Sequence, residues 1–177
     1  MYEIRIHSRG GQGGVTAARM IATAAVLDGK FATACPFYGA ERRGAPVVSF
    51  VRINSEPVKI YSQIHSPDMV IILDQTIMDT INVLDGLKKG GSMFINTCND
   101  NIKFPDDFTV FKSDLTGIAI QEKLIVSGNP ILNTPLIGAM SRIGIFTQKS
   151  GIDAINELFS DDPRNASAAK KAYTEVT

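Results

Sequence analysis

The residue types best suited to chemistry lie in two glycine-rich stretches. The first, Arg9-Gly10-Gly11-Gln12-Gly13-Gly14, follows a strand-like run and leads into an alanine-rich one. A glycine loop that opens a helix leaves N–H groups free at the positive end of the helix dipole, where an anion is stabilised. Gln12 at the tip can both donate and accept hydrogen bonds. The plainer alternative is a sharp strand-to-helix turn in which glycine simply avoids clashes. The second stretch, PFYGAERRGAP at 36–46, gathers an aromatic pair, one acid, two arginines and two glycines. Arg42 and Arg43 could pair with Glu41, bind phosphate, or reach across an interface. A solvated turn with a local ion pair is the competing reading, against which stands the adjacency of Phe37 and Tyr38.

Neither stretch completes a familiar nucleotide motif. Aligned on G-x-G-x-x-G, the first reads Ser8-x-Gly10-x-x-Gly13, so the first glycine is missing. The second strand ends in Cys35-Pro36, where a ribose-binding acid belongs, and Glu41 comes only later. No Lys-Ser or Lys-Thr follows the glycines, which excludes a P-loop. Two cysteines, Cys35 and Cys98, fall short of the four thiolates an iron–sulfur cluster usually takes, and two histidines give little basis for a metal site. Eighteen basic and eighteen acidic residues cancel, which removes the electrostatic case for nucleic acid or an anionic membrane. No apolar run is long enough to span a bilayer, and MYEIRIHSRG is unlike a signal peptide, so a cytoplasmic location is expected. His7 shares a polar strand face with Glu3 and Arg5; that face is expected to meet solvent or a partner. Asp74 is expected to cap the helical segment that starts at Thr76.

The elements that must position these residues follow from hydrophobic period. Strands are expected at 2–7, 30–35, 47–53, 68–74, 91–96 and 108–113, with 58–63 pairing back on 47–53 as a hairpin. Helices are expected at 13–29, 76–90, 115–124, 133–146, 151–159 and 163–176; Asn133 or Thr134 would cap the fourth of these. Strands alternating with helices predict an α/β fold: a Rossmann-like open sheet, mostly parallel with an antiparallel hairpin, and helices on both faces. No linker is visible, so residues 1–177 are expected to form one domain. In a doubly wound sheet the loops after strands one and two leave the same edge, which makes the two glycine-rich stretches neighbours.

Together these stretches resemble the gamma subunit of the 2-oxoacid:ferredoxin oxidoreductases, the pyruvate synthase group. That family has an R-G-G-Q-G or R-A-G-Q-G loop after its first strand and Y-G-A-E-R-x-G-A-P after its second, matched by YGAERRGAP here. VIILDQTI, IAIQE, NTPLIGA and the tail AAKKAYTEV are similar to further family segments, the last with Ala172 in place of glycine. Ser8 stands where the family commonly has glycine. The resemblance implies a complex that oxidatively decarboxylates a 2-oxoacid, passes the acyl group to coenzyme A and reduces ferredoxin. It implies thiamine diphosphate, Mg2+ and iron–sulfur clusters in partner alpha, beta and delta chains, with none bound by this chain alone. It places Gly10, Gly11, Gln12 and Gly13, with Tyr38, Gly39, Glu41, Arg42, Arg43 and Gly44, on the side that takes coenzyme A, and assigns no catalytic residue to the chain. A homodimer is possible in isolation. Two alternatives stay open: the beta subunit of indolepyruvate:ferredoxin oxidoreductase, which has a similar G-G-Q-G loop, and a free-standing phosphate- or nucleotide-binding α/β protein.

Overall fold

A computed structural model describes residues 1–37, 44–99 and 101–177. Strand β1 (Tyr2–Arg9) sets the frame. Its Ile4 and Ile6 are fully buried on one face, while Glu3, Arg5 and His7 alternate onto the other. Helix α1 (Gly14–Leu27) packs its Ala17, Ala18, Met20, Ile21, Ala24 and Ala25 against the first face. Strands β2 (Phe31–Phe37) and β3 (Pro46–Asn54) follow as an antiparallel pair. Strands β4 (Met69–Ile72), β5 (Ser92–Asn96) and β6 (Thr109–Ser113) continue the sheet in parallel. The six-stranded order is β2-β3-β1-β4-β5-β6, with β1 antiparallel to β3 and parallel to β4. The expected α/β open sheet, mostly parallel, is therefore present.

After β6 the chain returns over the α1 face. It forms α2 (Leu115–Gln121), a small hairpin of β7 (Ile125–Val126) and β8 (Asn129–Pro130), then α3 (Asn133–Ile143), α4 (Gln148–Phe159) and α5 (Pro163–Glu175). All five α-helices contribute to a single apolar cluster with Ile4, Ile6, Val51, Met69, Ile71 and Phe94. Helices α3 and α5 approach so closely at Gly138 that a Cβ there would clash with the carbonyl oxygen of Ala169 and lie 2.8 Å from its Cα. Gly138→Ala is expected to lower stability by about 1–3 kcal/mol, outweighing alanine's better helix propensity. A urea midpoint equal to or above the parent's would contradict that contact. Among the described residues no helix is long and apolar enough to cross a membrane.

The opposite face differs from expectation. Instead of a helix over 76–90, a 3-10 turn (Gln75–Asp79) gives way to irregular chain that still buries Ile77, Val83 and Leu87 against Val70, Ile72, Met93 and Ile95. The period of those apolar residues is real, but the carbonyls that a helix would use are claimed elsewhere. Arg5 Nη2 donates to Val83 O at 3.0 Å and to Asp85 O at 2.5 Å. Gly86 adopts φ +70°, outside the helical region.

Segment 58–63 is likewise not a strand; the hairpin partner of β3 is β2. The segment is held through its backbone by Arg52, whose Nη1 donates to Ser62 O at 2.7 Å and whose Nη2 donates to Gln63 O at 3.2 Å. The charged strand face expected to meet solvent or a partner is thus covered by the chain itself: Arg5, His7 and Arg52 are 9%, 4% and 4% exposed. Guanidinium groups take the place of helix hydrogen bonds in satisfying that covering layer.

Candidate functional site

Strands β1 and β2 run in the same direction, so the chain leaves both at one edge of the sheet. Beyond the last ladder pair, Arg9 with Pro46, the pairing continues into the loops: Gly10 N–H donates to Ala45 O at 2.9 Å and Gly44 N–H donates to Gly10 O at 3.1 Å. The two glycine-rich stretches are therefore joined where they leave the sheet, as their order in a doubly wound sheet predicts. Gly44 is the described end of the second stretch; Tyr38, Gly39, Glu41, Arg42 and Arg43 lie outside the described residues.

Gln12 is committed within the chain. Its Oε1 accepts from Arg9 N at 2.8 Å and its Nε2 donates to Asp74 Oδ2 at 3.0 Å, while its backbone O accepts from Leu132 N at 3.0 Å. Arg9 completes the knot: Nε and Nη2 donate to Thr76 Oγ1, Nη1 donates to Gly44 O at 3.1 Å, and Nε lies 3.3 Å from Asp74 Oδ2. Asp74 caps the 3-10 turn by accepting from Thr76 N, the role expected of it. Burial alone would push the Asp74 carboxyl up; the hydrogen bonds from Thr76 and Gln12 and the Arg9 charge outweigh it and hold the group below its ordinary range. The side chain that could have met a ligand instead staples β1 to the end of β4, while the backbone carbonyl of Gln12 holds the approach to α3.

The other side of the glycine loop is open. Gly11 and Gly13 take φ +97° and +86°, conformations that exact glycine. Gly13 is the N-cap of α1 and has no side chain to cap it. The first helical bond runs from Ala17 N to Gly13 O, and the amides of Gly14, Val15 and Thr16 find no acceptor among the described residues. Gly14 lies under Ser8: a Cβ there would collide with Ser8 Oγ and stand 2.7 Å from Ser8 Cβ. The hydroxyl at position 8 is accommodated because position 14 carries no side chain. Gly14→Ala is expected to cost about 1–3 kcal/mol by overpacking, and Ser8→Gly in the same chain should recover most of it. A denaturant double-mutant cycle with additive effects would contradict the shared volume.

These amides form the floor of a cleft of about 730 Å³ between α1, the β7–β8 hairpin and the start of α5. Lys123, Leu124, Ile131, Phe159 and Arg164 line its walls. Asn133, 4% exposed, lies at its base directly against Gly13. Asn133 is not the N-cap of α3; that position is Leu132, and Asn133 Oδ1 accepts from its neighbour Thr134 N at 2.8 Å. Asn133 Nδ2 has no hydrogen-bond partner among the described residues. Sequence reasoning treated Asn133 as a capping residue and missed the cleft. The hairpin that forms its wall was signalled by Ser127-Gly128, whose φ of +52° and +81° are those of a tight two-residue turn.

His7 lies on the other face. Its Nε2 accepts from Arg5 Nε at 3.1 Å, and its Nδ1 is buried without a partner. Burial first, then the Arg5 charge, push its pKa down to about 4. Among the described residues no three His, Cys, Asp or Glu side chains group to hold a metal ion.

Comparison with known proteins follows the same outline. A family model described as pyruvate ferredoxin/flavodoxin oxidoreductase matches residues 3–175. Pyruvate synthase subunit PorC of Methanocaldococcus jannaschii is 45% identical, over 99% of this chain and 97% of that protein. The pyruvate/ketoisovalerate oxidoreductases common subunit gamma of Thermococcus kodakarensis is 42% identical over the same shares. The crystal structure of pyruvate oxidoreductase subunit PORC from Thermotoga maritima matches with a TM-score of 0.85 at 33% identity, over 99% of this chain and 97% of that one. A longer chain shares the fold at 17% identity and a TM-score of 0.80. This 2-oxoglutarate:ferredoxin oxidoreductase from Magnetococcus marinus was solved with 2-oxoglutarate, coenzyme A and succinyl-CoA bound, and 98% of the present chain covers 30% of it.

Proposed function

The chain belongs to the pyruvate ferredoxin/flavodoxin oxidoreductase family, and we propose that it is the gamma subunit of a multi-subunit 2-oxoacid:ferredoxin oxidoreductase. In this reading the complex oxidatively decarboxylates pyruvate or a related 2-oxoacid, forms the acyl-CoA and reduces ferredoxin. The observation that carries it is the end-to-end match to a protein named as a common subunit gamma of pyruvate/ketoisovalerate oxidoreductases, 42% identical across 99% of this chain and 97% of the relative.

Thiamine diphosphate, Mg2+ and iron–sulfur clusters belong, on this reading, to partner alpha, beta and delta chains, where they supply the decarboxylation and electron-transfer chemistry. This chain's residues supply position and charge. The junction of Gly10 with Gly44 and Ala45 ties the second stretch to the sheet edge, and the Arg9–Asp74–Gln12 knot fixes the first. Gly10, Gly11, Gln12, Gly13 and Gly44 would form a preorganised edge beside the active site. Tyr38, Gly39, Glu41, Arg42 and Arg43 would extend it, with an arginine suited to a phosphate of coenzyme A.

The test is made in the assembled enzyme. The chain alone should show no turnover and should co-purify with its partner subunits. Replacing Arg42 and Arg43 together by alanine should raise the KM for coenzyme A at least about tenfold, the loss of roughly one charge-assisted contact. Unchanged coenzyme A kinetics together with unchanged assembly would remove the arginines' role, and turnover by the solitary chain would overturn the subunit reading.

A further inference from the structure

We propose that the Asp85-Gly86 peptide is a site of spontaneous isoaspartyl formation, a covalent change of the backbone made by the chain itself with water as co-reactant. The reaction depends on one turn of this chain and not on its assignment as a subunit. An aspartate followed by glycine can close on itself. The Gly86 nitrogen attacks Asp85 Cγ, and no β-carbon on the glycine crowds the approach. The N–Cγ bond forms as the Cγ–OH bond breaks, and the hydroxyl leaves with the amide proton as one water, giving a succinimide. Water then adds back at one of the two ring carbonyls. Addition at Cγ restores aspartate. Addition at the Asp85 main-chain carbon leaves the backbone running through Cβ and Cγ. No electrons are exchanged.

The chain contains two such pairs, Asp28-Gly29 and Asp85-Gly86, and the fold treats them oppositely. At the first, both reacting groups are engaged. Asp28 Oδ1 accepts from Thr147 N at 3.1 Å, Thr147 Oγ1 at 2.8 Å and Ser150 Oγ at 2.9 Å, and Gly29 N–H donates to Val26 O at 3.0 Å. At the second, both are free. Asp85 is exposed, its carboxyl has no hydrogen-bond or ion-pair partner among the described residues, and Gly86 N–H has no acceptor among them. Arg5 primes the same peptide unit. Its Nη2 donates at 2.5 Å to Asp85 O, the carbonyl bonded to the nitrogen that must attack. Resonance couples the two atoms, so a cation on the oxygen draws density from the nitrogen and eases removal of its proton. Packing keeps the glycine in place: Gly86 takes φ +70°, and a Cβ there would stand 2.0 Å from His65 O. A bulkier neighbour, which would slow closure, does not fit. The isoaspartyl form lengthens the backbone by one atom just ahead of Leu87, which is buried in the layer over β4 and β5.

The test ages the full chain in heavy-oxygen water at neutral pH and physiological temperature, folded and, in parallel, unfolded in guanidinium chloride. Isoaspartate is read by electron-transfer fragmentation of the two Asp-Gly peptides and by labelling with an isoaspartyl carboxyl methyltransferase. In the folded chain isoaspartate is expected at position 85. Position 28 should form it about tenfold more slowly, since closure there must first break a charge-assisted hydrogen bond. Folding should slow position 28 and not position 85. Asp85→Glu, an exposed substitution that keeps the charge but requires a larger ring, should remove the signal at 85 and leave that at 28 unchanged. Absence of isoaspartate at 85 overturns the proposal, as does equal formation at 85 and 28 in the folded chain, or formation at 85 slower in the folded chain than in the unfolded one. A methylation signal unchanged by Asp85→Glu would overturn it as well.

Discussion

Arg52→Met is expected to destabilise the protein by about 3–5 kcal/mol, the cost of removing one partner from a buried, hydrogen-bonded ion pair. The Arg52 guanidinium donates to Glu3 Oε1 at 2.8 Å and to the carbonyls of Ser62 and Gln63, with a longer bond to Ile60 O at 3.4 Å. Methionine fills comparable volume but supplies no donor. Glu3 would keep only the Nζ of half-exposed Lys88, at 4.0 Å. The carbonyls of Ile60, Ser62 and Gln63 would lose the group that holds them over β3, and water would have to reach them. Arg52→Lys should fall between the two, since it restores the charge beside Glu3 but cannot serve several carbonyls at once. Two measurements check this: the urea midpoint, and the rate of tryptic cleavage after exposed Lys59, which should rise as 58–63 comes loose. Equal midpoints and equal cleavage would refute the tether.

The second large effect is acid sensitivity well above the carboxylate range. In the folded chain His7 stays neutral until about pH 4, against an ordinary value of 6.5. The unfolded chain therefore binds a proton first as pH falls. Stability is full above about pH 6.5, declines through the window between the two values, and levels off below about pH 4. That shift corresponds to about 3 kcal/mol in total, of which about 2 kcal/mol is lost by pH 5. Between pH 7 and 5 this loss is separable from that of the acids. Asp28, Asp74 and Glu122 all have lowered pKa values, so their contributions are lost only at lower pH. His7→Gln, which can still accept from Arg5, should flatten the stability profile between pH 7 and 5. A parent protein equally stable at pH 7 and pH 5 would show that His7 is not held neutral.

What the sequence disclosed and what it concealed divide along the two faces of the sheet. The α1 face was legible because its residues obey simple periods: Ile4 and Ile6 alternate in β1, and the alanines of α1 recur at helical spacing. That the two glycine-rich stretches leave one edge was legible from strand order, since β1 and β2 point the same way; their junction itself comes from the antiparallel pairing of β3 with β1, which the sequence did not disclose. The covered face was misread for one physical reason. Arg5, His7 and Arg52 look like solvent-facing residues to any rule based on polarity, yet each sits under irregular chain. The same donors make 58–63 and 80–88 stable without regular hydrogen bonding, so apolar spacing at Ile77, Ile81, Leu84 and Leu87 suggested a helix that does not form. Asn133 was hidden differently: as a residue type it suits an N-cap, and only the close approach of Gly13 shows that it lies at the base of a cleft.

The interlocked pair Ser8 and Gly14 also limits how this chain can change. One small volume between β1 and α1 houses a side chain from one position only. Mutational drift from serine-and-glycine to glycine-and-alanine must therefore take the emptying step first. The reverse order passes through a chain crowded at the head of α1, where selection for folding would act against it. The two positions are contingent on one another, and the order in which they mutate is set by sterics before any ligand is considered.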